Sequence, residues 1–481
     1  MTPFGKVKSV RLVPLFVLSV LLWRGQYYGL TFEEGVVIAN AKAVLAWMAG
    51  RGGFRAAWTG MEHASPAKLM AGLGWFLSGG MLEGLRVVPI LLNAFAIGRV
   101  CEALAMVRGT VAGWMTAFLF VLMPPLSSLA VTVSPDMTAT AILLLVLVNG
   151  AEATARRQWI VTGLLAGIGI GTKITLLPAV LLLPFWARFL RGYLPLDGKN
   201  TLFYLLAVLV GLIIAYPALL VFPGDLADHI LGQASRMRPP VLYFGLKPRP
   251  EWHYALFWLI AGIPVSVLIT ALGALKRPFP PFVRLLLLHL GFGILVAIGA
   301  HGFLREGTRH LLPLVGTLLL LAGFGIGNFL TARPGAAMFL VVLLIFECGA
   351  AVWHLPPVES LYLNPLAGGM KTRLERGLPI TVSGDVFTDE VLLRLPNGSY
   401  HLVLGFAADR SLNFANREWR VSLAHRAKVL FGKEIVFCGL RQADRILILG
   451  QGRRAGPEKI LLSREDAVYL SFFPNPYRVK E

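Results

Sequence analysis

The chain has 481 residues, of which 56% are hydrophobic and 15% charged, and its formal net charge is +19. With a mean hydropathy of +0.68, it is too apolar for a water-soluble chain of this length and has the composition of a polytopic membrane protein. The basic surplus comes without zinc-finger spacing or basic repeats, so no nucleic-acid partner is expected, and it is assigned instead to loops facing anionic lipid and to phosphate.

Lys6, Lys8 and Arg11 flank an apolar run from Val10 to Leu22 that no small-residue cleavage site follows. This run reads as a first spanning helix with the amino terminus inside and Tyr27 and Tyr28 at the far interface. An outer loop over residues 29–84 follows, with Gly35 to Met48 and Pro66 to Leu77 expected as helices lying along the surface. Leu85 to Val107, Val111 to Ala130, ending at Pro124, Pro125 and a short SSLAVTVSPD connection, and Met137 to Val148 then cross in turn. The run from Trp159 to Phe185 contains glycines, Lys173 and a proline, and reads as two short helices turning at Lys173.

Leu202 to Phe222 leads to a second outer loop over residues 223–253. Tyr254 to Leu275, Leu285 to Ala300, Leu311 to Phe329 and Ala337 to Trp353 complete about eleven helices in residues 1–358, with basic clusters on the inner side. From residue 359 to 481 the chain becomes polar, with short β-branched runs (PITVSG, EVLLRL, YHLVLG, EIVFCG, DRILILG) and a helical stretch from Asn416 to Val429. The expected fold class is therefore a polytopic α-helical membrane protein with a C-terminal extracytoplasmic α/β or mainly β domain. Cys101, Cys348 and Cys438 stand apart, without metal-ligand spacing, and read as inert thiols.

Polar residues where helices meet the outer surface include Glu33, Glu34, Glu62, His63, Asp136, His229, Arg236, Arg238, Arg305, Arg309 and His310. Carboxylates at such a rim serve as a general base or ligate a divalent cation, and arginine holds phosphate through two oxygens. Transfer from a lipid-phosphate donor needs both: a base for the acceptor and positive charge for the departing phosphate. Taken singly, each of these residues also has an ordinary reading as a helix cap, an interfacial ion pair or a headgroup contact.

The layout and several strings resemble the integral-membrane glycosyltransferases of the GT-C class, in the branch of lipid A aminoarabinose transferases and protein O-mannosyltransferases. FEEG matches that family's acidic pair, with Glu33 in the place of the catalytic aspartate and Glu34 beside it. MEHASPAKL matches the later stretch of the first loop, implying Glu62 and His63 at a metal and Lys68 as a basic contact. SPDMTAT places Asp136 at the outer carboxylate, and DHILGQASR implies His229 as a further metal ligand, with Arg236 near the donor. GIGTKITLLP and TRHLLPLVG, the latter with Arg309, match the remaining strings.

The resemblance covers about Arg11 to Trp353, and no single string is diagnostic. It departs from the family in the longer Glu33 side chain and in an Ala-Ser insertion before Pro66. It implies a GT-C-like fold that takes a polyprenyl-phosphate sugar as donor, a divalent metal ion as candidate cofactor, and an envelope glycan, lipid or protein as acceptor. It further implies inversion at the anomeric carbon in the bacterial inner membrane, with the C-terminal domain periplasmic. Two other classes compete: a lipid or lipid-linked-sugar transporter, in which Arg99, Glu102 and Glu347 would line a proton path, and a non-catalytic assembly protein acting through its C-terminal domain.

Overall fold

A computed structural model describes residues 8–28, 31–58, 66–153, 155–191, 198–224, 241–276 except 245 and 248–249, 279–299, 307–354 and 362–369, and short runs, chiefly strands, beyond 391. Glu62, His63, His229 and Arg236 lie outside these residues.

After a short 3-10 turn, Lys8–Leu12, the helices run α1 (Val13–Gly25), α2 (Phe32–Met48), α3 (Phe54–Trp58), α4 (Pro66–Leu77), α5 (Leu82–Arg108), α6 (Thr110–Leu122), α7 (Pro124–Ala130), α8 (Pro135–Glu152), α9 (Arg156–Thr172), α10 (Leu177–Arg191) and α11 (Gly198–Ala215). A two-stranded antiparallel hairpin follows, β1 (Val241–Leu242) with β2 (Leu246–Lys247). Then come α12 (Tyr254–Ala261), α13 (Val265–Leu272), α14 (Pro281–Gly299), the 3-10 turn Gly307–Leu311, α15 (Leu312–Ala332) and α16 (Pro334–His354). Among the described residues, five helices are long and apolar enough to cross a membrane, or up to seven if each of two bent pairs counts as one.

Those bends change the expected elements. The run from Val111 to Ala130 turns by 75° between α6 and α7, and that from Tyr254 to Leu275 by 99° between α12 and α13. Proline explains both. Met123 precedes Pro124 and takes an extended conformation, because the proline ring disfavours helical geometry in the residue before it. Pro264, just ahead of α13, imposes the same constraint on Ile263. The expected turn at Lys173 is present: Lys173 is extended, and a 3-10 turn, Ile174–Leu176, separates α9 from α10.

The buried centre is built by α5, α8 and α15, the last two apolar on nearly every face. Bilayer lipid is as apolar as leucine, so these helices are held together by close backbone approach as well as by side-chain packing. Gly163, Gly167 and Gly171, one turn apart on α9, face α11. A Cβ at Gly167 would strike the Val208 carbonyl oxygen and the Leu212 amide, and one at Gly211 would strike the Leu164 carbonyl.

Beyond residue 391, five strands, β3 (Gly398–Leu404), β4 (Ile435–Phe437), β5 (Arg445–Gln451), β6 (Lys459–Arg464) and β7 (Val468–Pro474), form a mixed sheet of order β4-β3-β5-β7-β6. β3 lies parallel to β4 and β5; β7 runs antiparallel to β5 and β6. Three of the strands match expected runs, whereas β6 and β7 lie outside them. PITVSG and most of the 416–429 stretch fall outside the described residues, and Leu392 and Arg394 of EVLLRL are helical rather than extended.

Because a Cβ at Gly167 would meet the α11 backbone, Gly167→Leu is expected to force the two backbones apart, costing about 1–3 kcal/mol. A lowered unfolding midpoint in detergent checks this, with Gly349→Leu, where a Cβ meets nothing within 4 Å, as the unchanged control.

Candidate functional site

One end of the bundle gathers the carboxyl ends of α1, α6 and α9 with the amino ends of α2, α5, α8 and α15. Two buried clusters hold them together.

The first is centred on Glu34, in the first turn of α2. Thr31 caps this helix: its side chain accepts from the Glu34 amide at 3.1 Å, and Glu34 Oε2 accepts from the Thr31 amide at 2.8 Å, closing a capping box. Arg86, in the first turn or so of α5, grips the same carboxylate with two parallel hydrogen bonds, Nε to Oε1 at 2.7 Å and an Nη to Oε2 at 2.9 Å. Its other Nη donates to the Gly25 and Tyr28 carbonyls at 2.9 and 3.0 Å. Glu34 Oε1 also accepts from the Val133 amide at 3.2 Å. Both side chains are essentially inaccessible, at 0% and 2% exposure. Arg24 adds to the assembly, donating to the Val121 carbonyl of α6 and to the Tyr28 hydroxyl.

The second cluster is centred on Asp136, in the first turn of α8. Ser134 caps that helix through the Met137 amide and Pro135 starts it, so the carboxylate sits at the positive end of the helix dipole. Lys173, from the α9–α10 break, pairs with Oδ1. Arg309, from the turn before α15, donates from Nε to Oδ2 at 2.9 Å. Two cations thus meet one carboxylate, and the helix end adds positive potential. The loop before α8 links the clusters: Val133, bound to Glu34, is three residues from Asp136, and Asn93 of α5 holds the Ala130 carbonyl at 3.1 Å.

Of the sequence candidates, Glu34, Asp136 and Arg309 therefore come to one end of the bundle, and Lys68 is buried at the start of α4. Glu33 is the second residue of α2, one position before Glu34. In the two clusters the carboxylates of Glu34 and Asp136 are committed to cationic partners, and among the described residues no group of three His, Cys, Asp or Glu is placed to hold a metal.

Two participants were not singled out in sequence as site residues. Arg86 sits one residue inside an apolar run, and Lys173 lies in GIGTKITLLP, which matches a family string and holds the expected turn; a lone cation entering an apolar segment is the available signal for both. The residues of the transporter reading are engaged elsewhere. Arg99 pairs with Glu102 on its own helix and with Glu152 of α8, and Glu347 accepts hydrogen bonds at the start of α13.

No family model matches the sequence, and no curated protein matches it. The fold, by contrast, is shared. The crystal structure of ArnT from Cupriavidus metallidurans bound to undecaprenyl phosphate superposes with a TM-score of 0.52 at 13% identity, over 99% of this chain and 100% of that one. The apo form of the same protein gives 0.51 at 14% identity, over 100% of both chains. The archaeal oligosaccharyltransferase AglB from Archaeoglobus fulgidus, in complex with an inhibitory peptide and a dolichol-phosphate, gives 0.45 at 11%, over 91% and 69%.

The Glu34–Arg86 pair yields a stability prediction. Arg86→Ala leaves a buried carboxylate with half its hydrogen bonds removed and is expected to cost about 3–5 kcal/mol. Arg86→Met with Glu34→Gln, which removes both charges, is expected to recover much of that loss, as read by thermal unfolding of the purified variants. The end-to-end likeness to ArnT and the apolar helices together make the chain a multi-pass membrane protein with the fold of the GT-C glycosyltransferases.

Proposed function

We propose that the protein transfers a sugar from a polyprenyl-phosphate-linked donor to a lipid, glycan or protein acceptor at the outer face of a bacterial inner membrane. The observation that carries this reading is the surplus of positive charge around Asp136. Lys173 and Arg309 converge on it at a helix amino terminus, at the bundle end where α2 begins and carries Glu33 in its first turn. The likeness to a protein crystallised with undecaprenyl phosphate supports the choice of donor class.

In this mechanism the donor's chain stays in the bilayer and its phosphate enters the cationic end of the bundle, where desolvation is offset by Arg309, Lys173 and Lys68. Glu33 accepts the proton of the acceptor hydroxyl or amine as that atom bonds to the anomeric carbon. The bond from that carbon to the phosphate oxygen breaks on the opposite side, so the configuration inverts and polyprenyl phosphate leaves with the electron pair. Glu34 does not take the proton. With both oxygens engaged, it fixes the first turn of α2 and, through Val133, the approach to Asp136. Asp136 orients the two cations and keeps them from repelling each other.

The remaining assignments rest on the sequence resemblance. Arg236 is assigned to the donor, and Glu62, His63 and His229 to a divalent ion, which when bound would supply further charge to the phosphate. About eleven crossings put residues 359–481, an α/β or mainly β domain, on the periplasmic side, where it would shape the acceptor site.

Glu33→Gln keeps shape and hydrogen bonding but removes the base. It is expected to lower transfer at least about 100-fold while polyprenyl-phosphate binding stays within about twofold. Arg309→Ala is expected to show the reverse emphasis, with weakened binding of polyprenyl phosphate in nanodiscs. Near-normal transfer by Glu33→Gln would remove that residue from the mechanism, and chelator-insensitive transfer would remove the ion.

A further inference from the structure

The 99° bend between α12 and α13 exposes backbone groups that neither helix can satisfy internally. In an apolar bundle such groups cost several kcal/mol each if left unpaired. Among the described residues, the partners of these groups come from a distant part of the chain. Asn364, buried beyond the end of α16, donates from Nδ2 to the Ile260 carbonyl at 2.6 Å and to the Ile263 carbonyl at 2.9 Å, and its amide donates to the Ala261 carbonyl at 2.8 Å. Across the bend, Glu347 of α16 caps α13: Oε1 accepts from the Val265 amide at 2.8 Å, and Oε2 from the Ser266 amide and hydroxyl at 2.9 and 2.8 Å. The Tyr362 hydroxyl donates to Glu347 at 3.0 Å; burial and the Glu347 charge hold that phenol well above its usual pKa, so it remains a donor at neutral pH.

The helix held this way carries the turn that bears Arg309. The Tyr254 hydroxyl, at the start of α12, accepts from the Gly307 amide at 2.9 Å. Gly307 has φ +60° and lies against the Trp258 ring. At the far end of α12, Gly262 sits so close to Thr308 that a Cβ there would collide with the hydroxyl. The Gly307–Leu311 turn is therefore seated along the whole of α12, and the angle of α12 is set by Asn364 and Glu347.

We infer that Asn364, with Glu347 and Tyr362, is a positioning residue for Arg309: the segment leaving α16 latches the α12–α13 bend, and α12 in turn holds the Arg309 turn against Asp136. This inference rests on the proposed role of Arg309 toward a lipid phosphate. It also places the segment that leads to the C-terminal strands in mechanical contact with the site.

The test combines a structural readout with a functional one. Hydrogen exchange of the full-length protein in nanodiscs is expected to show the 307–311 segment exchanging at least about tenfold faster in Asn364→Ala, with the α9–α11 seam unchanged. Affinity for polyprenyl phosphate is expected to fall about tenfold, and Arg309→Ala added to Asn364→Ala is expected to lower it little further, because coupled residues do not add. Tyr204→Phe, which loses a hydrogen bond to the Val180 carbonyl away from the site, is expected to change neither readout. If Asn364→Ala does not fold, Tyr362→Phe removes a single bond from the same latch and is held to the same outcomes. Unaltered exchange at 307–311, or binding losses that add fully, would overturn the latch. Faster exchange in a protein whose wild type binds no polyprenyl phosphate would leave the latch standing and overturn the proposed function instead.

Discussion

A carboxylate shut away from water is tolerated only when its charge and its lone pairs are all met, and Glu34 satisfies that condition through four hydrogen bonds, two of them from one guanidinium. Much of the architecture at this end of the bundle follows. Arg86 must enter at the top of α5 and bring the end of α1 with it, and the loop before α8 must deliver Val133 to the remaining lone pair. A well-packed apolar pair would hold helices at least as tightly. What the ion pair adds is direction: it defines the rotation of α2 about its axis.

The second constraint is backbone satisfaction in an apolar medium. A chain that needs polar side chains at the membrane boundary must interrupt its helices there, and each interruption leaves amides and carbonyls that lipid cannot serve. Here the interruptions at Met123, Lys173 and Gly262–Pro264 lie where the site is built or supported. Lys173 itself becomes a partner of Asp136, and the last break is closed by side chains more than eighty residues away in sequence. The site and the irregular backbone are thus two consequences of the same requirement.

Apolar runs made most of the helices legible in the sequence, and the glycines, lysine and proline around Lys173 showed that break correctly. Pro124 and Pro125 mark the end of their run in the sequence, whereas the bend at Pro264 is hidden, because hydropathy stays high through it and carries no information about direction. Glu34 was visible as half of an acidic pair, yet its partner was not: Arg86 is 52 positions away, and ion-pair choice between helices depends on packing that local pattern does not encode. The same holds for Lys173 and Arg309, which approach Asp136 from two different helix ends. In the C-terminal region, short β-branched runs exposed three strands, while β6, KILLSR, is bounded by charges and β7, VYLSFFP, holds a single β-branched residue.

The central claim is that a phosphate on a polyprenyl chain sits at the bundle end shared by Glu33, Asp136 and Arg309. A structure of the protein with polyprenyl phosphate bound, with anomalous scattering used to locate phosphorus and any metal, tests it most directly. The account predicts phosphate oxygens within hydrogen-bond distance of Arg309 or Lys173, facing the start of α2. Phosphate bound near Arg99 at the opposite end, or among the C-terminal strands, would contradict it.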